Sequence, residues 1–141
     1  MDVITKKLSE IQIFLKFTYG IVPIVAGADK FTNLLADWGT YLNPNLAALL
    51  PFSSNAFMMV VGGIEIGAGI MVLLNPKQAA YVVSAWLVLI ALSLLASGNY
   101  LDVAVRDLVI AVGAYALGKL SGLPGLAKTK ATVCKSMSLK Y

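Results

Sequence analysis

A single carboxylate, Glu65, stands inside an otherwise apolar run that extends from Phe57 to Leu74. A run of this length is close to the ~20 residues that a helix needs to cross the hydrocarbon core, and it places Glu65 near the midplane. An ionisable group at that depth costs several kcal/mol unless it is paired, hydrogen-bonded or neutral. The run therefore predicts a membrane-spanning helix with one polar point inside a helical bundle.

The distribution of charge agrees with a membrane protein. Of the 141 residues, 13% are charged and 59% are hydrophobic, whereas a soluble domain carries roughly 25% charged residues. The charges collect at a few points between long uncharged stretches, which is typical of a polytopic helical protein.

Four spans are predicted, at about residues 11–35, 55–74, 78–96 and 101–120. Tight turns at 75–77 and 97–100 join the last three spans, so these spans should be antiparallel neighbours. The predicted fold class is all-α: an integral membrane four-helix bundle formed by residues 1–121.

The longer first connection has a helical signature of its own. Asn43 is a suitable N-cap, Pro44 fits the first turn, and Pro51 stops the chain after one or two turns. Trp38 and Tyr41 lie beside it, as aromatic residues do at a membrane interface. We expect a short interfacial helix in this first periplasmic loop.

Lysines lie near both ends of the chain and at Lys77, on one predicted side of the bundle. The positive-inside rule places that side, and both termini, in the cytoplasm. Residues 122–141 would form a Lys-rich cytoplasmic tail. The net charge of +4 is thus explained by topology, and we expect a lipid bilayer as partner and no nucleic acid.

The chain has no histidine, and its only cysteine is Cys134. These facts exclude His-ligated haem, most zinc sites, His-based acid–base catalysis and an intrachain disulfide. We predict no metal site, no cofactor bound covalently or through His or Cys, and no catalytic residue.

Three aromatic residues, Tyr19, Trp86 and Tyr115, are predicted at a depth similar to that of Glu65 and are its candidate partners. Two interpretations of this intramembrane polar site stay open. Glu65 accepts a proton or contacts a cation, or it is a protonated carboxyl that hydrogen-bonds to a neighbour and holds helices together.

A second constellation lies at the outer ends of the first and fourth spans. Arg106 follows Asp102 by one helical turn, so the two can pair. The cluster forms either a polar vestibule facing the periplasm or an ion-pair clamp between the two spans, and we favour the clamp because the charges nearly balance. Its members are Asp29, Lys30, Asp102, Arg106 and Asp107.

Small residues predict where helices approach closely. Gly63 and Gly67 form a small-xxx-small pair on the second span, and Ala114 and Gly118 offer a similar surface on the fourth.

The chain resembles the DoxX-like family of small four-helix membrane proteins over roughly residues 15–121. Three segments carry the resemblance: Gly27-Ala-Asp-Lys-Phe31, Gly62-Gly-Ile-Glu-Ile-Gly-Ala-Gly69 and Tyr100-Leu-Asp-Val-Ala-Val-Arg-Asp-Leu108. The resemblance implies a multi-pass protein of the bacterial cytoplasmic (inner) membrane, often an accessory subunit beside a redox activity such as thiosulfate:quinone oxidoreduction or an oxidative-stress complex.

Three hypotheses about function follow. The first is a non-catalytic membrane subunit that docks to a quinone-linked or oxidative-stress redox complex, with other membrane subunits as partners and with contact to quinone or lipid. The second is a homo-oligomeric carrier or channel for a small solute, coupled to protons or cations through Glu65. The third, an enzyme acting on a lipid-soluble substrate at the outer vestibule, is the weakest.

Overall fold

The computed structural model describes residues 3–42 and 44–126, and this part of the chain is helical, with no β-strand. The predicted all-α class is confirmed. The elements, in chain order, are helix α1 (Val3–Thr32), a 3-10 turn (Trp38–Tyr41), and helices α2 (Pro44–Leu49), α3 (Ser54–Leu74), α4 (Pro76–Ser97) and α5 (Leu101–Ser121).

The helix ends follow from local chemistry. Ser53 caps α3, since its hydroxyl accepts a hydrogen bond from the Ala56 N–H at 3.3 Å. Asn75 separates α3 from α4, and Pro76 opens α4 at a position that needs no N–H. Gly98 ends α4 in the left-handed conformation, with φ of 69°. Pro23 lies inside α1, which continues through it as one helix.

The four long helices pack as two extensive pairs, α1 with α3 and α4 with α5. Smaller contacts join α3 to α4 and α1 to α5, so each long helix touches at least two others. Small and β-branched side chains fill the space between α3, α4 and α5, which lets these helices approach closely. The buried residues there are Val72, Ala79, Ala80, Val83, Ala114 and Leu117.

Three of the described helices, α1, α3 and α4, are long and apolar enough to cross a membrane. Large apolar side chains cover their outer surfaces, for example Phe14, Val60 and Leu89. Such surfaces suit contact with lipid. Helix α5 is as long as α3, but it is more polar because it carries the charged residues Asp102, Arg106, Asp107 and Lys119.

Two boundaries differ from the expected ones. Helix α1 begins at Val3, before the expected start near residue 11, and ends at Thr32, before the expected end near residue 35. The predicted turns in the first connection are present as α2, which begins at Pro44. The proposed cap Asn43, the cysteine Cys134 and the tail from residue 127 onward lie outside the described residues.

Candidate functional site

The carboxylate of Glu65 is paired with Lys30. The Lys30 Nζ lies 2.7 Å from Glu65 Oε2, within hydrogen-bond distance. Both side chains are shielded, with 6% of Lys30 and 13% of Glu65 exposed. The structure therefore joins the intramembrane acid to a residue that the sequence predicted for the outer charged cluster.

Helix packing explains how these two side chains meet. Gly27 and Gly62 bring the backbones of α1 and α3 into contact, because a Cβ on Gly62 would stand 2.6 Å from the Gly27 carbonyl oxygen. Gly20 meets Gly69 further inward, so α1 and α3 run antiparallel. Lys30 lies one turn outward of the Gly27–Gly62 contact, and Glu65 lies one turn inward of it.

The direction of the two side chains explains how Lys30 and Glu65 meet although they lie on opposite sides of the glycine contact. Helical side chains lean toward the N-terminus of their own helix. On antiparallel helices, this lean points Lys30 inward and Glu65 outward, so the two long side chains converge. Removing one partner of such a buried pair typically costs ~3–5 kcal/mol, since the other charge is left without compensation.

Trp38 covers the outer side of this pair. The Lys30 ammonium lies 3.8 Å from the centroid of the Trp38 ring, in a cation–π contact. The Trp38 indole N–H donates to Asp29 Oδ2 at 2.6 Å. Asp29 thus fixes the ring that covers the ammonium of its neighbour Lys30.

Asp29 also organises the chain where α1 ends. Its Oδ1 accepts hydrogen bonds from the backbone N–H groups of Leu34 and Leu35, at 3.1 and 3.0 Å, and from the Thr32 hydroxyl at 3.4 Å. Asn33 turns the chain with a left-handed φ of 50°. This buried carboxylate is therefore stabilised by hydrogen bonds and needs no cation.

A further carboxylate, Asp107 of α5, interacts electrostatically with both Lys30 and Glu65. Its side chain is 13% exposed, and the Arg106 Nε lies 3.9 Å from its Oδ1. Arg106 is expected to pair with Asp102, but in the structure its nearest carboxylate is that of Asp107. Asp102 lies exposed in the first turn of α5. Asp29, Lys30 and Asp107 thus share one site with Glu65, whereas Arg106 and Asp102 face outward.

None of the three aromatic residues predicted beside Glu65 forms a hydrogen bond with it in the described part of the chain. Tyr19 donates from its hydroxyl to the Ile110 carbonyl of α5 at 2.9 Å. Tyr115 packs edge-on against Tyr81, with ring centroids 5.5 Å apart. The Trp86 indole N–H is buried, and no described residue accepts a hydrogen bond from it.

The glycines of α3 divide into two faces. Gly62 and Gly69 contact α1, whereas Gly63 and Gly67, the pair that the sequence singled out, are exposed and a Cβ on either would meet nothing within 4 Å. On α5, Ala114 is buried and Gly118 lies under the Tyr81 ring. Helix α1 therefore packs on the face of α3 that carries Gly62 and Gly69, and the face with Gly63 and Gly67 is left open.

Two open cavities, of about 440 and 270 Å³, lie beside the 3-10 turn, and Thr40 lines both of them. Tyr41 and Tyr100 line the larger one, with ring centroids 4.4 Å apart. Asn55 and Asp37 line the smaller one. Neither cavity is lined by Lys30, Glu65 or Asp107, so the charged site is separate from both.

Sequence reasoning missed two relationships. The sequence predicts Trp38 as an interface aromatic and Lys30 as a member of the outer charged cluster, whereas the structure places both beside Glu65 or its partner. The glycine spacing carried a usable signal, since Gly20 and Gly27 on α1 have the same separation as Gly62 and Gly69 on α3. Within residues 3–42 and 44–126, no group of His, Cys, Asp and Glu side chains could hold a metal ion.

Comparison with known proteins finds no family model that matches the chain, and no match among curated proteins or solved structures.

Proposed function

We propose that this chain is a membrane protein in which α1, α3, α4 and α5 form a four-helix bundle across the bilayer. The start of α1 and the end of α5 both lie on the cytoplasmic side. The pairwise contacts α1–α3, α3–α4, α4–α5 and α1–α5 support the bundle. Helix α5 crosses despite its charges because Asp107 faces the interior and Arg106 lies near the outer end, where a long side chain reaches the headgroups.

The proposed role is that of a non-catalytic subunit that supports a quinone-linked or oxidative-stress redox complex in a bacterial inner membrane. The observation that carries it is the closed Lys30–Glu65 pair, which joins α1 to α3 and is screened by Trp38. An intramembrane acid held in this way acts as a clamp between helices. The redox setting rests on the resemblance to DoxX-like proteins.

A mild-detergent purification from native membranes tests this role. We expect a stoichiometric partner that carries a flavin, haem or iron–sulfur centre, and we expect quinone reduction by the membranes to fall when the gene is deleted. An unrelated tagged membrane protein from the same host serves as the control for adventitious capture. Recovery of the chain alone, with quinone reduction unchanged by the deletion, would contradict the role.

Topology is tested separately, in a Cys134→Ser background. Ser97→Cys lies at the turn between α4 and α5, and Lys77→Cys lies at the opposite end of α4. A membrane-impermeant maleimide added to intact cells should label the first variant and should label the second only after permeabilisation. The reverse pattern would overturn the proposed orientation.

One observation favours a second candidate, a proton- or cation-coupled carrier. Glu65 and Asp107 supply two shielded carboxylates around the single ammonium of Lys30, and charged groups inside a membrane often mark ion pathways. Liposomes with wild-type protein should then take up protons or a small solute, and Glu65→Gln should abolish that flux. Lys30→Met/Glu65→Gln, which removes both charges, controls for folding.

A further inference from the structure

The shielded charges of the described residues do not balance. Lys30 is the only buried cation in residues 3–42 and 44–126. Three carboxylates lie near it with little exposure: Asp29 at 6%, and the side chains of Glu65 and Asp107 at 13% each. One ammonium thus faces more negative charge than it can neutralise.

The three carboxylates differ in how they are stabilised. Asp29 accepts hydrogen bonds from the Trp38 indole and from two backbone N–H groups. Glu65 accepts from Lys30 at 2.7 Å. Asp107 accepts no hydrogen bond within the described part of the chain, and its nearest cation is Arg106, at 3.9 Å and 65% exposed. Asp107 is therefore the least compensated acid of the three.

The chemistry of the Lys30 ammonium allows it to change its hydrogen-bond partner. A lysine ammonium is a compact charge on a flexible four-carbon stem, and its three donors can exchange acceptors. Lys30 enters the site from the end of α1, Glu65 from the middle of α3 and Asp107 from the outer half of α5. A movement of the ammonium from Glu65 toward Asp107 thus changes which helix α1 is tied to.

We propose that Glu65 and Asp107 form a proton-binding site in which the Lys30 ammonium exchanges partners. A hydronium ion donates a proton to a Glu65 carboxylate oxygen, which leaves water and a neutral carboxylic acid. The ammonium keeps its charge and moves to the Asp107 carboxylate. The site gains one proton in this step, no covalent bond breaks within the protein, and the return of Lys30 to Glu65 releases the proton.

The charged groups that face the site are few. Helix α1 supplies Asp29 and Lys30, α3 supplies Glu65, and α5 supplies Arg106 and Asp107. The only charged residue of α4 is Lys77 in its first turn, at the opposite end of the molecule. The exposed Asp37 lies just before the 3-10 turn. Asp107 is thus the acid that can replace Glu65, because Asp29 is already held by hydrogen bonds.

Infrared difference spectroscopy of the full chain in liposomes tests the exchange, since a protonated carboxyl has a resolved C=O stretch. In the wild type, acidification should raise a component of this band that belongs to Glu65, and Glu65→Gln should remove that component while the other carboxyls still titrate. Asp107→Asn removes the second partner of the ammonium, so protonation of Glu65 should require an about tenfold higher proton concentration. A tenfold change corresponds to roughly 1.4 kcal/mol. Asp102→Asn, an exposed acid on the same helix, should titrate as the wild type does.

Arg106→Gln provides a second test that leaves Asp107 in place and changes an exposed residue. Loss of the guanidinium frees Asp107 for Lys30, so the Glu65 band should appear with less acid than in the wild type. The proposal is overturned if Asp107→Asn and Arg106→Gln both titrate as the wild type, or if Glu65→Gln removes no component of the band. This inference goes beyond the subunit role. Its test needs no partner protein, so the inference can hold even if the native purification finds no partner.

Discussion

The stem of Lys30 passes directly over Gly62, since a Cβ on this glycine would stand 3.0 Å from the Lys30 Cβ and 2.6 Å from the Gly27 carbonyl oxygen. The glycine thus does two things at once. It lets α1 and α3 touch through their backbones, and it leaves the space through which the lysine reaches Glu65. Close backbone approach and a buried ion pair are therefore coupled at one position.

This coupling predicts a difference between neighbouring glycines. Gly62→Ala should destabilise the protein by about 1–3 kcal/mol, as overpacking of a tight contact does, and should lengthen the Lys30–Glu65 contact. Gly63→Ala is the matched control: its methyl group meets open space, and alanine is the better helix former. Thermal unfolding in detergent measures both. Equal midpoints for the two variants would contradict the packing described.

The ion pair itself is tested by a double-mutant cycle. Lys30→Met should lower stability by ~3–5 kcal/mol, because it leaves the buried Glu65 carboxylate without its partner. Glu65→Gln should lower it less, because Asp107 can then accept the Lys30 ammonium. The double variant should lose much less than the sum of the two. Unfolding in liposomes by denaturant gives the three values. Strict additivity would show that the two side chains do not interact.

The part of this architecture that sequence could predict is the part set by local chemistry. Apolar runs, the Ser53 cap, the proline at the start of α2 and α4 and the glycine at the end of α4 define the helices without reference to neighbours. Glu65 was identified as unusual because its depth in an apolar run can be counted along the chain.

The partner of Glu65 could not be found in this way. Lys30 lies near the end of α1, where a lysine is ordinarily explained by the nearby water. Its true contact depends on which face of α1 meets α3, and α3 carries glycines on two faces, Gly62 with Gly69 and Gly63 with Gly67. The hydrophobic pattern is too uniform to choose between them. Only the packing of the helices shows which glycine face of α3 meets α1.

Trp38 should control access to Lys30 from the outer side. Trp38→Leu removes the ring above the ammonium, so a membrane-impermeant amine reagent should modify Lys30 severalfold more than in the wild type. Trp38→Phe keeps a ring but loses the hydrogen bond to Asp29, and should lie between the two. Mass spectrometry of the Lys30 peptide gives the extent of modification. Asp37→Asn, at an exposed neighbour, should leave it unchanged.

The contact between α1 and α5 depends on a second glycine. Gly113 leaves room for the Tyr19 hydroxyl, which donates to the Ile110 carbonyl. Gly113→Ala would collide with that hydroxyl and should destabilise the protein, whereas Tyr19→Phe should cost only ~0.6 kcal/mol, as for a typical hydrogen bond between membrane helices.

Adding Tyr19→Phe to Gly113→Ala removes the oxygen that the new methyl group meets. Much of the lost stability should therefore return in the double variant, measured by the same thermal unfolding. If the double variant were as unstable as Gly113→Ala alone, the cause would lie outside this contact.

The division of the long helices into two extensive pairs has a consequence for how the protein is made. Helices α1 and α3 are complete before α4 is synthesised, and their glycine contacts need nothing from the second half of the chain. The Lys30–Glu65 pair can therefore form at the insertion machinery while α4 and α5 are still in the ribosome. A nascent chain that has joined Lys30 to Glu65 delivers both charges to the lipid as a single neutral unit.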